Sequence, residues 1–320
     1  MKKAVVVGGG PAGLMAAEVL AGAGVEVHVY DAMPSVGRKF LLAGKGGLNL
    51  THSEPPELFV TRYAARQPQI EPLLKTFGAA ELRDWAKALG VDTFVGTSGR
   101  VFPKDLKAAP LLRAWLHRLR AAGVQFHMRH RWTGWNDQGD PGALTFATPQ
   151  DPNPVRVQAD AVVLALGGAS WARLGSDGAW AGLLGARGIT IAPLQAANCG
   201  FDVGSAGRAG WTEHFKTRFA GQPFKSVAIA FTDSQGHSFS RRGEFVATAT
   251  GVEGSLVYAA SSLLRDEIAA HGSATFQLDL LPDKTPERVL AEVAHPRGSR
   301  TLSSHLKSRL GLDGIKASIL

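Results

Sequence analysis

Two short, almost unbroken apolar runs stand out along the chain, Lys3-Ala4-Val5-Val6-Val7 and Ala161-Val162-Val163-Leu164-Ala165-Leu166. Runs of this length and β-branched content predict strands buried on both faces, as in a parallel sheet covered by other layers. From 71 to 89 the apolar residues recur at helical spacing, at Leu73, Leu74, Phe77, Leu82, Trp85, Ala86 and Leu89, and predict one helix. A second helix is predicted from about 104 to 122, with Leu111, Leu112, Trp115, Leu116 and Leu119 on one face and a stop at Gly123. Four short strands follow, at 124–128, 132–136, 144–148 and 155–158. They are separated by the turn-rich segments 137–142 and 149–154, a pattern that predicts an antiparallel meander inserted between parallel strands. Further on, 227–232, 244–248 and 275–280 read as strands, and 286–294 and 301–310 as short helices after the break at Pro282.

The first apolar run passes directly into Gly8-Gly9-Gly10-Pro11-Ala12-Gly13 and then an alanine-rich helical stretch. Strand, G-x-G-x-x-G turn and helix together form a dinucleotide-binding fingerprint. Gly8 permits the tight turn, Gly10 lets the backbone approach a pyrophosphate, and Gly13 lets helix and strand pack closely. The diphosphate is expected on the free amides and positive end of the helix. A second strand, 25–30, ends at Asp31, 23 positions beyond Gly8, where a carboxylate can accept ribose hydroxyls. A 2′-phosphate there meets like charge, which disfavours NADP at this site.

The segment 32–52 carries Gly37, Gly44, Gly46 and Gly47, the cations Arg38 and Lys39, and the polar residues Asn49 and Thr51. Glycine-exposed amides beside cations suit a loop that wraps a phosphate-bearing ligand. A second strand-to-glycine junction closes the 161–166 run at Gly167-Gly168.

Composition narrows the class. With 320 residues and 45% hydrophobic content, the chain is long enough for a sizeable core. The 35 basic and 27 acidic residues give a net charge of +8, but the charges are scattered and lack interleaved aromatics, so no specific nucleic-acid groove is read. The basic, apolar N-terminus resembles a secretory leader, yet its glycines and proline interrupt the apolar core, and it is read as mature protein. No run is long enough to span a bilayer. The single cysteine, Cys199, excludes an internal disulfide and a C-x-x-C relay and fits a reducing, cytoplasmic setting. No metal site is read.

Taken together, Gly8 to Gly13, Gly37-Arg38-Lys39, Gly44-Lys45-Gly46-Gly47-Leu48-Asn49-Leu50-Thr51, Arg100-Val101-Phe102-Pro103, Ala165-Leu166-Gly167-Gly168-Ala169-Ser170, Gly175-Ser176-Asp177-Gly178 and Thr250-Gly251-Val252-Glu253-Gly254 resemble the BaiN-like (YhiN-like) FAD-dependent oxidoreductases, the aminoacetone-oxidase-type flavoproteins. The resemblance covers nearly the whole chain. It implies an α/β fold: a two-dinucleotide-binding (Rossmann-like) FAD domain with a β-barrel-like insertion and a small helical domain. The expected divisions are 1–189 for the FAD domain, 190–281 for the β-rich insertion and 282–320 for the helical segment. Proteins of this kind return to the FAD domain through a final strand, glycine pair and helix. The sequence ends at Ile319-Leu320 without them, so the resemblance implies a chain lacking that return, with a more open flavin site.

Carried across position by position, the resemblance assigns Gly8, Gly10, Pro11, Ala12 and Gly13 to the pyrophosphate and Asp31 to the adenosine ribose. Arg38 and Lys39 fall to the phosphate or ribityl region, and Gly44, Gly46, Gly47, Asn49 and Thr51 to the flavin side. Trp132, Ala165, Gly167 and Gly168 border the adenosine half. Leu48 stands where many relatives have cysteine, which removes thiol chemistry at that point. Lys45, His52 and Glu253 are groups able to serve a reduced flavin or equally to be ordinary loop residues, so no catalytic residue is assigned. The expected activity is hydride transfer through FAD to or from a small organic substrate, with a nicotinamide donor docking transiently. The other readings open at this point are a flavin-dependent tRNA-modifying protein and a non-catalytic flavin-binding remnant.

Overall fold

A computed structural model describes residues 1–43, 47–136, 140, 142–205 and 208–320. The chain forms two compact units, Met1–Leu194 and Gln195–Leu320.

The first unit opens with β1 (Lys3–Val7), α1 (Pro11–Gly22), β2 (Glu26–Asp31), α2 (Arg38–Ala43), β3 (Thr51–His52) and α3 (Pro56–Phe59). It continues with α4 (Gln67–Thr76), α5 (Ala79–Ala88), β4 (Thr93–Val95), β5 (Arg100–Pro103) and α6 (Ala108–Ala121). Then come β6 (Gln125–Met128), β7 (Arg131–Trp135), β8 (Ala143–Ala147), β9 (Val155–Gln158), β10 (Ala161–Leu164) and α7 (Trp180–Gly185).

The parallel sheet has the order β10-β1-β2-β6, with Val6 opposite Val29 on one side and Val163 on the other. Its two faces explain the unbroken apolar runs. Val6, Val27 and Val29 pack with Leu14 of α1 and with Leu112, Trp115 and Leu119 of α6. The alternate residues Val5, Val7 and Tyr30 pack on the other face with Trp132, Leu144, Phe146 and Val157 of the meander β7-β8-β9. A strand sandwiched between helices and a second sheet has no polar face to show.

The helix read from 71 to 89 is two helices. α4 ends before Phe77, whose backbone angles are not helical, and α5 restarts after its N-cap Gly78, whose N–H donates to the Glu81 carboxylate at 2.9 Å. A Cβ at Gly78 would lie 2.6 Å from the Leu74 carbonyl oxygen, so glycine permits the break that the continuing apolar spacing conceals. Part of the 32–52 segment read as a loop is the helix α2.

In the second unit, β11 (Phe201–Asp202), the antiparallel pair β12 (Gly204–Ser205) and β13 (Arg208–Ala209), and α8 (Glu213–Phe219) precede the long hairpin β14 (Pro223–Thr232) and β15 (Ser238–Ala247). β16 (Gly251–Glu253), α9 (Ser255–His271), β17 (Gln277–Asp279), α10 (Pro286–Ala294), α11 (Leu302–Leu310) and α12 (Gly314–Ser318) complete it. Its antiparallel sheet has the order β11-β16-β15-β14-β17, and Leu256 and Val257 of α9 pack with Ile229 and Phe245 of that sheet.

Candidate dinucleotide site

The glycine turn after β1 is built by close approach. Gly8 has φ +110°, and a Cβ there would lie 2.3 Å from the Ala165 carbonyl oxygen after β10; a Cβ at Gly13 would lie 1.9 Å from the Gly8 carbonyl oxygen. These two glycines lock β1, α1 and β10 together. Gly10 differs, because nothing lies within 4 Å of the position its Cβ would take. It is the N-cap of α1, with Pro11 next and no side chain capping the first turn, so the helix presents uncapped amides at an open edge.

Asp31 sits at the end of β2 and grips this turn. One carboxylate oxygen accepts the Gly9 N–H at 2.7 Å and the other accepts the Met33 N–H at 2.7 Å. Burial raises its pKa above the ordinary aspartate value, against the opposing pull of the two amides and of Arg38. Each oxygen retains a lone pair for a ribose hydroxyl.

Gly37, at φ +69°, donates its N–H to the Gly9 carbonyl at 2.8 Å and so brings the start of α2 beside the turn. Arg38 and Lys39 follow at once. Arg38 has a buried Nε with no partner among the described residues, and the Lys39 ammonium donates to Ser170 Oγ.

These groups border one cavity of about 610 Å³. Its wall takes Gly8, Gly10, Pro11, Ala12, Asp31, Arg38, Lys39, Asn49, Trp132, Ala165 and Gly167 from the sequence-derived set. Gly13 lies behind the wall, packed on Gly8. Gly47 packs near Phe102 and Leu106, Thr51 pairs with Val101 between β3 and β5, and Gly168 is also off the wall. Gly44, Lys45 and Gly46 lie outside the described residues. His52 is held by the Ser98 carbonyl at 3.0 Å and by the Glu54 N–H at 3.1 Å, away from the cavity.

Sequence reasoning gave no role to several other wall residues: Tyr30, His130, Arg131, Ser176, Asp177 and Trp180. Ser176 and Asp177 lie in the Gly175 to Gly178 motif that carried the family resemblance, which was the available signal. Arg131 and Asp177 form an ion pair at 2.8 Å that holds the Asp177 carboxyl below its ordinary pKa.

Behind this end of the cavity a ring stack crosses the sheet. Tyr30 lies between His127, at 4.3 Å, and Phe146, at 4.4 Å, while His28 Nδ1 and His127 Nε2 are hydrogen-bonded at 2.9 Å. Burial, with help from His28, His130 and Lys3, lowers the His127 pKa to about 4, so its ring is neutral at physiological pH.

The donor set fits FAD. An uncapped helix N-terminus, a glycine with open space on its Cβ side and an arginine with an unused buried donor suit a diphosphate, and the acid at the end of β2 suits a ribose. Fold and cavity together define a Rossmann-type dinucleotide-binding protein.

The sequence matches the HI0933-like protein Rossmann domain over residues 2–271, and the chain belongs to this HI0933-like family of flavoproteins, with FAD as cofactor. It is 26% identical over 299 residues to the 3-dehydro-bile acid delta(4,6)-reductase of Clostridium scindens, a match that covers 90% of this chain and 67% of that protein. Among solved structures it is similar to THI4 of Thermovibrio ammonificans, with TM-score 0.41 and 18% identity, over 59% of this chain and 64% of that one. It is also similar to the 3-ketosteroid-delta4-(5alpha)-dehydrogenase of Rhodococcus jostii RHA1, with TM-score 0.41 and 20% identity, over 52% and 46%. For a flavocytochrome c3 fumarate reductase the values are 0.47 and 15%, over 72% and 48%. The chain spans less than two thirds of each of these solved chains. Among the described residues, no helix is long and apolar enough to cross a membrane.

Proposed function

We propose that the protein is a FAD-dependent oxidoreductase acting by hydride transfer on a small organic substrate. The observation that carries this reading is the convergence of Gly10, Asp31 and Arg38 on one cavity, reached from three separate elements. When bound, FAD supplies the two-electron chemistry, by exchange of a hydride at its ring system. The uncapped start of α1, with Arg38, holds the diphosphate, and Lys39 lines the cavity beside it. Asp31 orients the adenosine ribose, and the fixed Gly9 and Met33 amides keep its carboxylate in place. Trp132, 7% exposed, walls the adenosine end with apolar surface.

The substrate class supported best is a conjugated ketone on a fused-ring skeleton, on the strength of the bile-acid reductase relative. Reducing such a compound delivers one hydride and one proton across a C=C bond. The reducing equivalents come from a nicotinamide dinucleotide that docks transiently.

The test is an absorbance spectrum of the purified chain after addition of FAD and desalting, followed by anaerobic reduction and addition of 3-oxo-4-ene steroids. Retained flavin bands that bleach on reduction and return with the steroid support the proposal. A chain that keeps no flavin overturns it, and retained flavin that the steroids leave reduced overturns the substrate class alone.

A further inference from the structure

The segment 167–178 follows β10 and is tied to itself. Ser176 Oγ accepts the Ala169 N–H at 3.0 Å, and Trp171 and Ser176 form an isolated antiparallel bridge. Gly167, Gly175 and Gly178 all have positive φ, and Cβ atoms on them would strike Ser176, Met33 and Ala169 respectively, each at less than 3.0 Å. The glycines therefore give the segment a compact form whose two ends lie close together. Gly167, Leu174, Ser176 and Asp177 form part of the cavity wall.

Among the described residues, two side-chain bonds fasten this segment to the rest of the first unit, one to α2 and one to β7. Ser170 Oγ accepts from Lys39 of α2, beside the glycine turn. Asp177 accepts from Arg131 of β7, at the adenosine end, at 2.8 Å. Lys39, Arg131 and Asp177 themselves border the cavity. The Arg131 and Asp177 side chains are 52% and 33% exposed, so water and salt reach the bond.

We propose that residues 167–178 form a strap over the dinucleotide cavity, latched by Lys39 to Ser170 and by Arg131 to Asp177, and that release of the latches sets the rate at which the cofactor enters and leaves. The proposal rests on the FAD reading of the cavity. Ser170 and Asp177 have no assigned part in holding the cofactor, so weakening their bonds to Lys39 and Arg131 favours the open strap in the free and the loaded protein alike. Entry and exit then speed up together while affinity holds.

The test is stopped-flow mixing of apoprotein with FAD, read by flavin fluorescence, with dissociation read after dilution, for the wild type, Ser170→Ala, Asp177→Asn and the double variant. Association and dissociation rates are expected to rise together, by about two- to fivefold per latch for exposed polar bonds, with Kd changed less than about twofold. Raising salt to about 0.5 M is expected to bring the wild-type dissociation rate towards that of Asp177→Asn, a comparison that stands even if the double variant folds poorly. Unchanged rates in both single variants overturn the proposal. So does a faster dissociation with weaker Kd and unchanged association, which would make these side chains ligand contacts instead of latches. A wild-type chain that takes up no FAD overturns the cofactor reading and the strap with it, whereas normal uptake with unaltered exchange overturns the strap alone.

Discussion

The Asp31 carboxylate accepts the Gly9 amide at 2.7 Å, across 22 positions of sequence, so the acid that ends β2 also shapes the glycine turn that ends β1. One residue thereby serves the fold and the cavity. Asp31→Ala leaves the Gly9 and Met33 amides without acceptors in a part-buried setting and is expected to cost about 1–3 kcal/mol. Thermal unfolding measures that loss, and FAD titration should show weaker binding in the same variant. An unchanged unfolding midpoint would mean that water replaces the carboxylate at no cost.

Gly10 and Gly13 separate binding from folding. Gly10→Ala places a methyl in open space at the helix start, where φ is −80°, so stability should change by less than about 0.5 kcal/mol while FAD affinity falls tenfold or more. Gly13→Ala drives a methyl to 1.9 Å from the Gly8 carbonyl oxygen, and the protein should unfold early or accumulate poorly. Unfolding curves and flavin titrations on the pair check the contrast.

Acid should weaken the fold through His127. Its pKa is about 4 in the folded chain against 6.5 for the free ring, so the unfolded state binds the proton first. The stabilising contribution is full above pH 6.5 and is lost as pH falls from there through 4. His127→Phe keeps a ring against Tyr30 and should show a shallower stability loss over that window. The check is denaturant unfolding across the pH series, together with NMR titration of the His127 ring in the wild type.

Glu18 ties three helices. A single oxygen, Oε2, accepts from Trp85 Nε1 at 3.1 Å and Trp115 Nε1 at 2.6 Å, and Oε1 pairs with Arg118 at 2.6 Å. Glu18→Ala strips both indoles of their acceptor and should cost about 2 kcal/mol, whereas Glu18→Gln, which keeps a carbonyl oxygen, should recover part of this. Chemical denaturation followed by tryptophan fluorescence distinguishes the two variants.

Much of the first unit was legible because its constraints are local. A strand buried on both faces must be apolar throughout, and the turn after it admits only glycine where a Cβ would collide with a neighbouring carbonyl oxygen. Three strands of the meander were likewise visible in short apolar runs separated by turn residues, but the first run read with them, 124–128, is β6 of the parallel sheet, because it pairs with β2 and not with β7. Within 167–178 the sequence assigned only Gly167 and Gly168, and Gly175 to Gly178 stayed a motif without a role, since nothing in its composition says which cations will reach it.

The sequence by itself determined the dinucleotide turn, the acid at Asp31 and the parallel framework, since each follows from sterics and periodicity within some thirty residues. Only the tertiary structure decided that the 71–89 pattern breaks at Gly78, that 255–271 forms the long helix α9, and that Arg38 begins a helix. It also decided the pairing of Glu18 with Trp85, 67 positions away, and of Lys39 with Ser170, 131 positions away. Such bonds depend on where packed elements meet, and neither hydrophobic period nor local propensity carries that information.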